Sequence, residues 1–430
     1  MNPTVRLEIA DYDLGLRGKL ERADKAAPGK RISFCTIVYG LSLKDEVTDT
    51  PLGSAANGYP DAFAVPDEDT RVTLPWRAAQ EAVIADMVHA DGSPVEECPR
   101  YQVRRLSAQY DEFGLEPVFG YEYEVYVTHD ADSPLGSRPL GRTINGYSLS
   151  RLGESEALAD TFCERMESVG IPVEMFHSEI GPGFFEFALA PAPALTAADW
   201  AARARQAFRE IAAEQGLRAT FMAKLYSTES GSGGHVHQSL RRDWRNVMSD
   251  QNQQLSAEGA NYLGGILATM GDFGALYNPL VNSYKRLDPN LFVATRATWG
   301  GDNRNAACRT ILNVPTEAAR IECRRPGADA SPYVVAAALL AGGIHGLRNH
   351  VDPGPPIAPG DDLASVGGDL PQDLAAAIAM LDGSTRAREL LGEAFVACFL
   401  ATRRAEQAAF DNWWRGTVTE WELARYPDHI

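Results

Sequence analysis

Gly120-Tyr-Glu-Tyr-Glu-Val-Tyr-Val127 sets two carboxylates, Glu122 and Glu124, alternately among aromatic and β-branched residues. That composition predicts a β-strand. Side chains two apart on a strand share a face, so both carboxylates point one way. Like charges brought together out of water are costly unless a cation neutralises them. The alternation returns twice. His235 and His237 alternate in Gly231-Ser-Gly-Gly-His-Val-His-Gln-Ser239, and Arg320, Glu322 and Arg324 in Ala319-Arg-Ile-Glu-Cys-Arg-Arg325. One such pair alone is an ordinary solvated sheet face. Three ionisable rows, one with paired histidines, predict a single sheet whose concave face holds metal.

Further candidates lie around these rows. Glu179 and Glu186 flank Gly181-Pro182-Gly183, which must bend the chain. The bend lets two carboxylates seven apart converge, whereas one continuous strand would set them on opposite faces. Carboxylate oxygens with an imidazole suit Mg²⁺ or Mn²⁺; thiolates would suit zinc. Arg304 and Arg309, in Trp299-Gly-Gly-Asp-Asn-Arg-Asn-Ala-Ala-Cys-Arg-Thr310, are candidate clamps for phosphoryl oxygens. No Walker motif is present, because Gly231-Ser-Gly-Gly lacks the lysine after its glycines.

The bulk properties exclude several classes. A chain of 430 residues is long for one core, so two domains are expected. With 40 basic against 58 acidic residues, its formal charge is −18. That disfavours nucleic acid as a partner, since phosphate contact needs clustered Lys and Arg. Cationic metals or amines fit better. No stretch approaches the ~20 apolar residues needed to span a bilayer, and no signal peptide is evident at the N-terminus. Six cysteines without a repeated short spacing read as reduced thiols, so a cytoplasmic location is expected.

Along the chain, residues 31–40 read as a buried strand and 52–75 as a long irregular connection. Residues 77–90 have helical character, although Val83-Ile-Ala-Asp-Met-Val suits a strand equally. Pro99 opens a helix, and the domain boundary is placed there, giving domains 1–98 and 99–430. Beyond it strands and helices alternate, as in an α/β sheet covered by helices. Helices are expected at 154–169, 195–215, 256–273, 330–348, 371–381 and 384–412. Asp352 to Asp362 reads as a proline-rich surface loop.

In order and spacing, the motifs resemble glutamine synthetase from about Asp91 to Tyr333. The matching pieces are Gly120-Tyr-Glu-Tyr-Glu, His177-Ser-Glu-Ile-Gly-Pro-Gly, Gly231-Ser-Gly-Gly-His-Val-His-Gln-Ser-Leu, Asn278-Pro-Leu-Val-Asn-Ser-Tyr-Lys-Arg-Leu, Asn303-Arg-Asn-Ala-Ala-Cys-Arg and Arg320-Ile-Glu-Cys-Arg-Arg-Pro. The resemblance implies an α+β protein: a small N-terminal β-grasp domain and a larger catalytic α/β domain. It implies a homo-oligomeric ring, a dodecamer, with sites between subunits. It also implies ATP and two or three Mg²⁺ or Mn²⁺ ions. ATP would phosphorylate the γ-carboxylate of glutamate, and an amine would displace the phosphate from the γ-glutamyl phosphate. One metal would be held by Glu124, Glu179 and Glu186, the other by Glu122, His235 and Glu322. Arg304, Arg309 and Arg320 would stabilise the transferred phosphoryl group. Arg286, Arg324 and the backbone at Gly231 would hold glutamate, with His237 and Ser239 near the nucleotide.

The departures from the family concern the amine. Six residues past the arginine of Tyr-Lys-Arg-Leu the family carries a flap glutamate that helps deprotonate ammonium; here Phe292 stands there. The family's ammonium-binding Asp-Gly-Ser-Ser, from a neighbouring subunit, aligns with Leu52-Gly53-Ser54-Ala55. A usual glutamine after the Pro-Gly turn is Phe184, and Ser230 replaces an asparagine. Ammonium needs anionic or polar partners on several sides. Leu52 and Phe292 substitute apolar wall, so an organic amine, alkyl or aromatic, is the better guest. Either Glu179 or Tyr147 is expected to face its nitrogen. The expectation is a glutamate–amine ligase making γ-glutamylamides. The alternatives are an ammonium-using glutamine synthetase with a remodelled site, and a non-catalytic nucleotide or amino-acid sensor. The tyrosine that some family members adenylylate has no counterpart near Asp362-Leu-Ala-Ser.

Overall fold

The computed structural model describes residues 4–78, 80–129, 134–141, 146–288, 291–361 and 366–428. Asn145, the Pro289–Asn290 pair and the 362–365 stretch bearing on adenylylation lie outside the described residues.

Two large sheets organise the chain. The first, of six described strands, takes its strands from residues 4–88. Its centre is Gln80–Val88, parallel to Thr4–Ala10 and antiparallel to Asp61–Pro66 and Val72–Leu74. Residues 77–90 therefore hold the strand and not the helix. Ala82, Val83, Ile84 and Ala85 are all buried, and a strand buried on both faces shows an unbroken apolar run without alternation. The 52–75 stretch is not irregular throughout. It contains Asp61–Pro66, where Ala62 and Ala64 face the core in alternation. In 31–40 only Ile32–Cys35 is strand, and Thr36–Gly40 turns into a 3₁₀ helix.

The second sheet has ten described strands. Across its width run Trp299–Gly301, Cys308–Ile311, Arg320–Cys323, Gly234–Arg242, Glu116–Thr128, Phe184–Leu189 and Val173–Ser178. All neighbours on this path are antiparallel except the first two strands. One face is apolar. The alanine-rich helix Ala194–Glu214 lies against it, and Phe162, Phe187, Phe208 and Phe221 interlock there. The small alanines let helix and sheet approach closely. Helices Pro332–Asn349 and Ala257–Thr269 pack on each other, with Gly265 against Gly342 and Gly346, where any Cβ would clash with backbone. The expected helix 384–412 is broken by Gly392, at φ +87°, into Thr385–Leu391 and Glu393–Gly416. No described helix is long and apolar enough to cross a membrane.

Candidate active site

Strand register brings the ionisable rows together. Glu122 is the cross-strand partner of His235, and His237 that of Glu322. Glu124 faces Glu186, which faces His177 on the far side. Glu322 also faces Arg309. The bend between Glu179 and Glu186 is a hairpin between Val173–Ser178 and Phe184–Leu189. Gly183 takes φ +64° within it, and a Cβ there would lie 2.4 Å from the Val127 carbonyl. These side chains line one cavity of about 1050 Å³.

Two groups of ligand atoms cluster within 4.8 Å: Glu122, His237 and Glu322, and His177, Glu179 and Glu186. His235 adjoins the first group, its Nδ1 lying 2.9 Å from Glu122 and 3.6 Å from Glu322. His237 Nε2 lies 3.4 Å from Glu122. Glu124 adjoins the second through its register with Glu186, while accepting the Gly233 N–H at 2.6 Å. His177 Nε2 meets Glu186 at 3.0 Å. His177 escaped the sequence reading, although it alternates with Glu179 just as His235 does with His237.

The electrostatics differ between the two groups. Burial and the nearby Glu122 and Glu124 carboxylates push Glu186 up to about 8, against the pull of His177. Burial, with Glu124 and Glu122, also raises Glu179. His177 is raised despite its own burial, by its hydrogen bond to Glu186. In the other group burial is overcome. Hydrogen bonds from His235 and His237 hold Glu122 well below the usual range. Arg324, His237 and His235 bring Glu322 down to about 2. Buried carboxylates with imidazoles, crowded closely enough that Glu186 holds its proton, fit hard divalent cations such as Mg²⁺ or Mn²⁺.

The arginines divide by their partners. Arg309 donates to Glu322 at 2.9 Å and to Asp302 through two nitrogens; Asp302 was not foreseen. Arg324 is paired with Glu322, and Arg320 Nε donates to His237 Nδ1 at 3.2 Å. Arg286 is buried, within 3.3 Å of His235 Nε2, and packs on Gly231, where a Cβ would come 2.6 Å from its Cγ. Arg304 lines the cavity but makes no hydrogen bond or ion pair among the described residues. A guanidinium left unpaired beside carboxylates is poised for an anionic ligand.

Ser239, Phe184, Tyr147 and Phe292 also line the cavity. Phe184 is buried and stacks on Tyr126 at 4.1 Å between ring centroids. Tyr147 stacks on His177 at 4.5 Å. Leu52 is not with them: it is buried in the hydrophobic core and does not line the cavity of its own chain.

Comparison with known proteins agrees with this geometry. The family model "Glutamine synthetase, catalytic domain" matches residues 96–426. Type-1 glutamine synthetase 2 of Dictyostelium discoideum is 33% identical over 446 residues, covering 100% of this chain and 84% of that protein. Glutamate–isopropylamine ligase of a Pseudomonas species is 34% identical over 447 residues, covering 99% of this chain and 95% of the relative. Among solved structures, a GmaS/ADP complex superposes with a TM-score of 0.83 at 27% identity, over 99% of this chain and 96% of that one. The chain belongs to the glutamine synthetase family.

Proposed function

We propose that the protein is an ATP-dependent ligase joining the γ-carboxylate of glutamate to an organic primary amine, alkyl or aromatic. The observation that carries the reading is the cavity's composition. A carboxylate, imidazole and arginine floor for phosphoryl transfer adjoins apolar side chains, with Phe292 in place of the flap glutamate. The similarity to a glutamate–isopropylamine ligase over nearly the whole chain supports it.

In the reaction, a γ-carboxylate oxygen takes the terminal phosphoryl group of ATP and ADP leaves. The amine nitrogen then bonds to the acyl carbon, phosphate departs, and the nitrogen gives up a proton. Divalent cations, when bound, supply charge neutralisation around the transferred phosphoryl group. Glu124, Glu179 and Glu186 would hold one, with His177 beside them; Glu122, His235 and Glu322 would hold the other, with His237 beside them. Arg286 and Arg324 hold the glutamate carboxylates, with the Gly231 backbone close by. Arg304, Arg309 and Arg320 take the phosphoryl oxygens. His237 and Ser239 lie on the nucleotide side.

The strand Glu116–Thr128 orients the cavity. Ser239 and His237 pair with Val118 and Gly120, whereas Glu186 pairs with Glu124 farther along. At ~3.3 Å per residue, nucleotide and amine ends are separated by roughly 13 to 20 Å, with Glu122 between them.

We place the domain boundary at Pro99 and infer a homo-oligomer, the family's dodecameric ring. The exposed aromatic end of the chain, with Trp413, Trp414 and Trp421 open to solvent, supports burial against another subunit. Six free thiols support a reducing compartment such as the cytoplasm. Glutamate-dependent ADP release across a panel of amines tests the function. Turnover with an organic amine supports it, preference for ammonium returns the chain to glutamine synthetase proper, and no turnover leaves a sensor.

A further inference from the structure

Three large apolar side chains lining the cavity stay open to solvent: Tyr147, 69% exposed, Phe292, 57%, and Ile180, 52%. Single exposed hydrophobics on a convex surface are unremarkable. Here all three line one charged cavity, where a ligand can cover them. Two are held in the left-handed region, Tyr147 at φ +59° and Phe292 at φ +58°. That backbone is unfavourable for aromatic residues and persists only where the surroundings impose it.

Ile180 is fixed more tightly than its exposure suggests. Its N–H donates to Glu179 Oε2 at 2.9 Å, so its side chain starts beside one of the two candidates, Glu179 and Tyr147, for facing the amine nitrogen. The Tyr147 N–H donates to the Ser178 carbonyl at 2.8 Å, laying residues 146–147 along 178–180. A Cβ on Gly146 would sit 3.0 Å from Ile180 Cγ1, so this glycine packs closely against the isoleucine. Tyr147 is braced by its stack on His177. A β-branched side chain with restricted χ1, backed by glycine and flanked by a braced ring, makes a stiff wall.

We infer that Ile180 is a specificity-determining residue that limits the size of the group carried on the amine nitrogen. This rests on the ligase reading. The carbon bonded to the reacting nitrogen lies within a bond length of it, so, with either Glu179 or Tyr147 facing that nitrogen, its substituents meet the side chain set beside both. The favoured class is a primary amine bearing a compact apolar group, branched or flat. None of the three lip residues carries a charge to receive a second ammonium.

The test is catalytic efficiency of Ile180→Ala and Ile180→Phe with methylamine, isopropylamine and benzylamine, alongside ammonium, in the full-length enzyme. Ile180→Ala is expected to raise the benzylamine-to-methylamine ratio by roughly tenfold, the usual size of an apolar pocket effect, and Ile180→Phe to lower it. Opposite shifts from a smaller and a larger side chain are not produced by general destabilisation. Ile180→Val, which is smaller, and Ile180→Tyr, which is larger, carry the same comparison should either variant fail to fold. Ratios within about twofold of wild type throughout would overturn the role of Ile180 while leaving the ligase reading intact. A wild-type enzyme using ammonium alone would overturn both.

Discussion

Glu124 and Glu186 are direct cross-strand partners on adjacent antiparallel strands. Like charges so placed destabilise a sheet, and Glu186 responds by taking up a proton, its pKa pushed up to about 8 by burial and by Glu122 and Glu124. The fold therefore holds an arrangement that favours a bound cation over the empty site.

The pH dependence follows in sign. Glu186 has a folded pKa above its ordinary value of 4.5. Its contribution to metal-free stability is complete below pH 4.5 and is lost as pH rises through about 8. A divalent cation must displace that proton. We expect Mg²⁺ affinity to rise between pH 6 and 8, with net proton release measurable by calorimetry in buffers of different ionisation enthalpy. Affinity independent of pH over that interval would remove Glu186 from the metal site.

Glu124→Ala and Glu186→Ala should each abolish turnover and leave the fold intact, because each removes charge from the metal site and no packing core. Circular dichroism and thermal melts report the fold, and ADP release at saturating Mg²⁺ or Mn²⁺ reports turnover. Near-normal activity in either purified variant contradicts the assignment.

Arg304 makes no protein ion pair or hydrogen bond among the described residues, unlike Arg309 with Asp302 and Glu322. Arg304→Ala should then leave the melting temperature unchanged and lower the rate by more than tenfold, a loss of more than ~1.4 kcal/mol of transition-state stabilisation. Unchanged ADP formation would show the guanidinium to be a bystander.

Arg100, only 1% exposed, joins the two sheets' layers. It donates to Asp199 on the helix Ala194–Glu214 at 2.8 and 2.9 Å, and to Asp67 at 2.7 Å. It also pairs with Asp86 on the central strand of the first sheet. Arg100→Ala leaves Asp199 buried with, among the described residues, only the Tyr333 hydroxyl as a side-chain partner. Removing one partner of a buried pair costs about 3–5 kcal/mol. We expect a matching fall in unfolding free energy by denaturant titration. A loss under about 1 kcal/mol would show that the network is dispensable.

What was legible in the sequence follows from local periodicity. Glu122, Glu124, His235, His237 and Glu322 show themselves because one polar face alternates with one apolar face on each strand. Gln80–Val88 hides because both its faces are buried, which erases the alternation. Gly392 ends a helix through a positive φ that the apolar pattern on either side does not signal. Ile180 and Asp302 depend on where loops return to the site, which no short-range pattern encodes. Leu52, aligned to a position that the family contributes to a neighbouring subunit's site, is buried in the core of its own chain, and no pattern within one chain bears on its role there.

The amine preference is the sharpest expectation, and it rests on Phe292. An exposed phenylalanine at φ +58° lines the cavity where the family carries a glutamate. Ammonium entering beside it loses hydration without gaining an anion from that position, whereas an apolar amine gains roughly 25 cal/mol for each Å² of hydrocarbon covered. Burying about 60 Å² on this wall supplies ~1.5 kcal/mol, enough for tenfold. A hydrophobic primary amine should therefore exceed ammonium by at least about tenfold in kcat/KM. Phe292→Glu should shift the ratio toward ammonium, even at a cost in total activity, since it restores an anion and removes the wall. Kinetics with ammonium, methylamine, isopropylamine, ethanolamine, putrescine and aniline settle it. If ammonium is the best substrate, the pocket argument fails. If putrescine wins, the ligase stands and the apolar pocket is refuted, because a second ammonium needs an acidic partner that Phe292, Tyr147 and Ile180 do not supply.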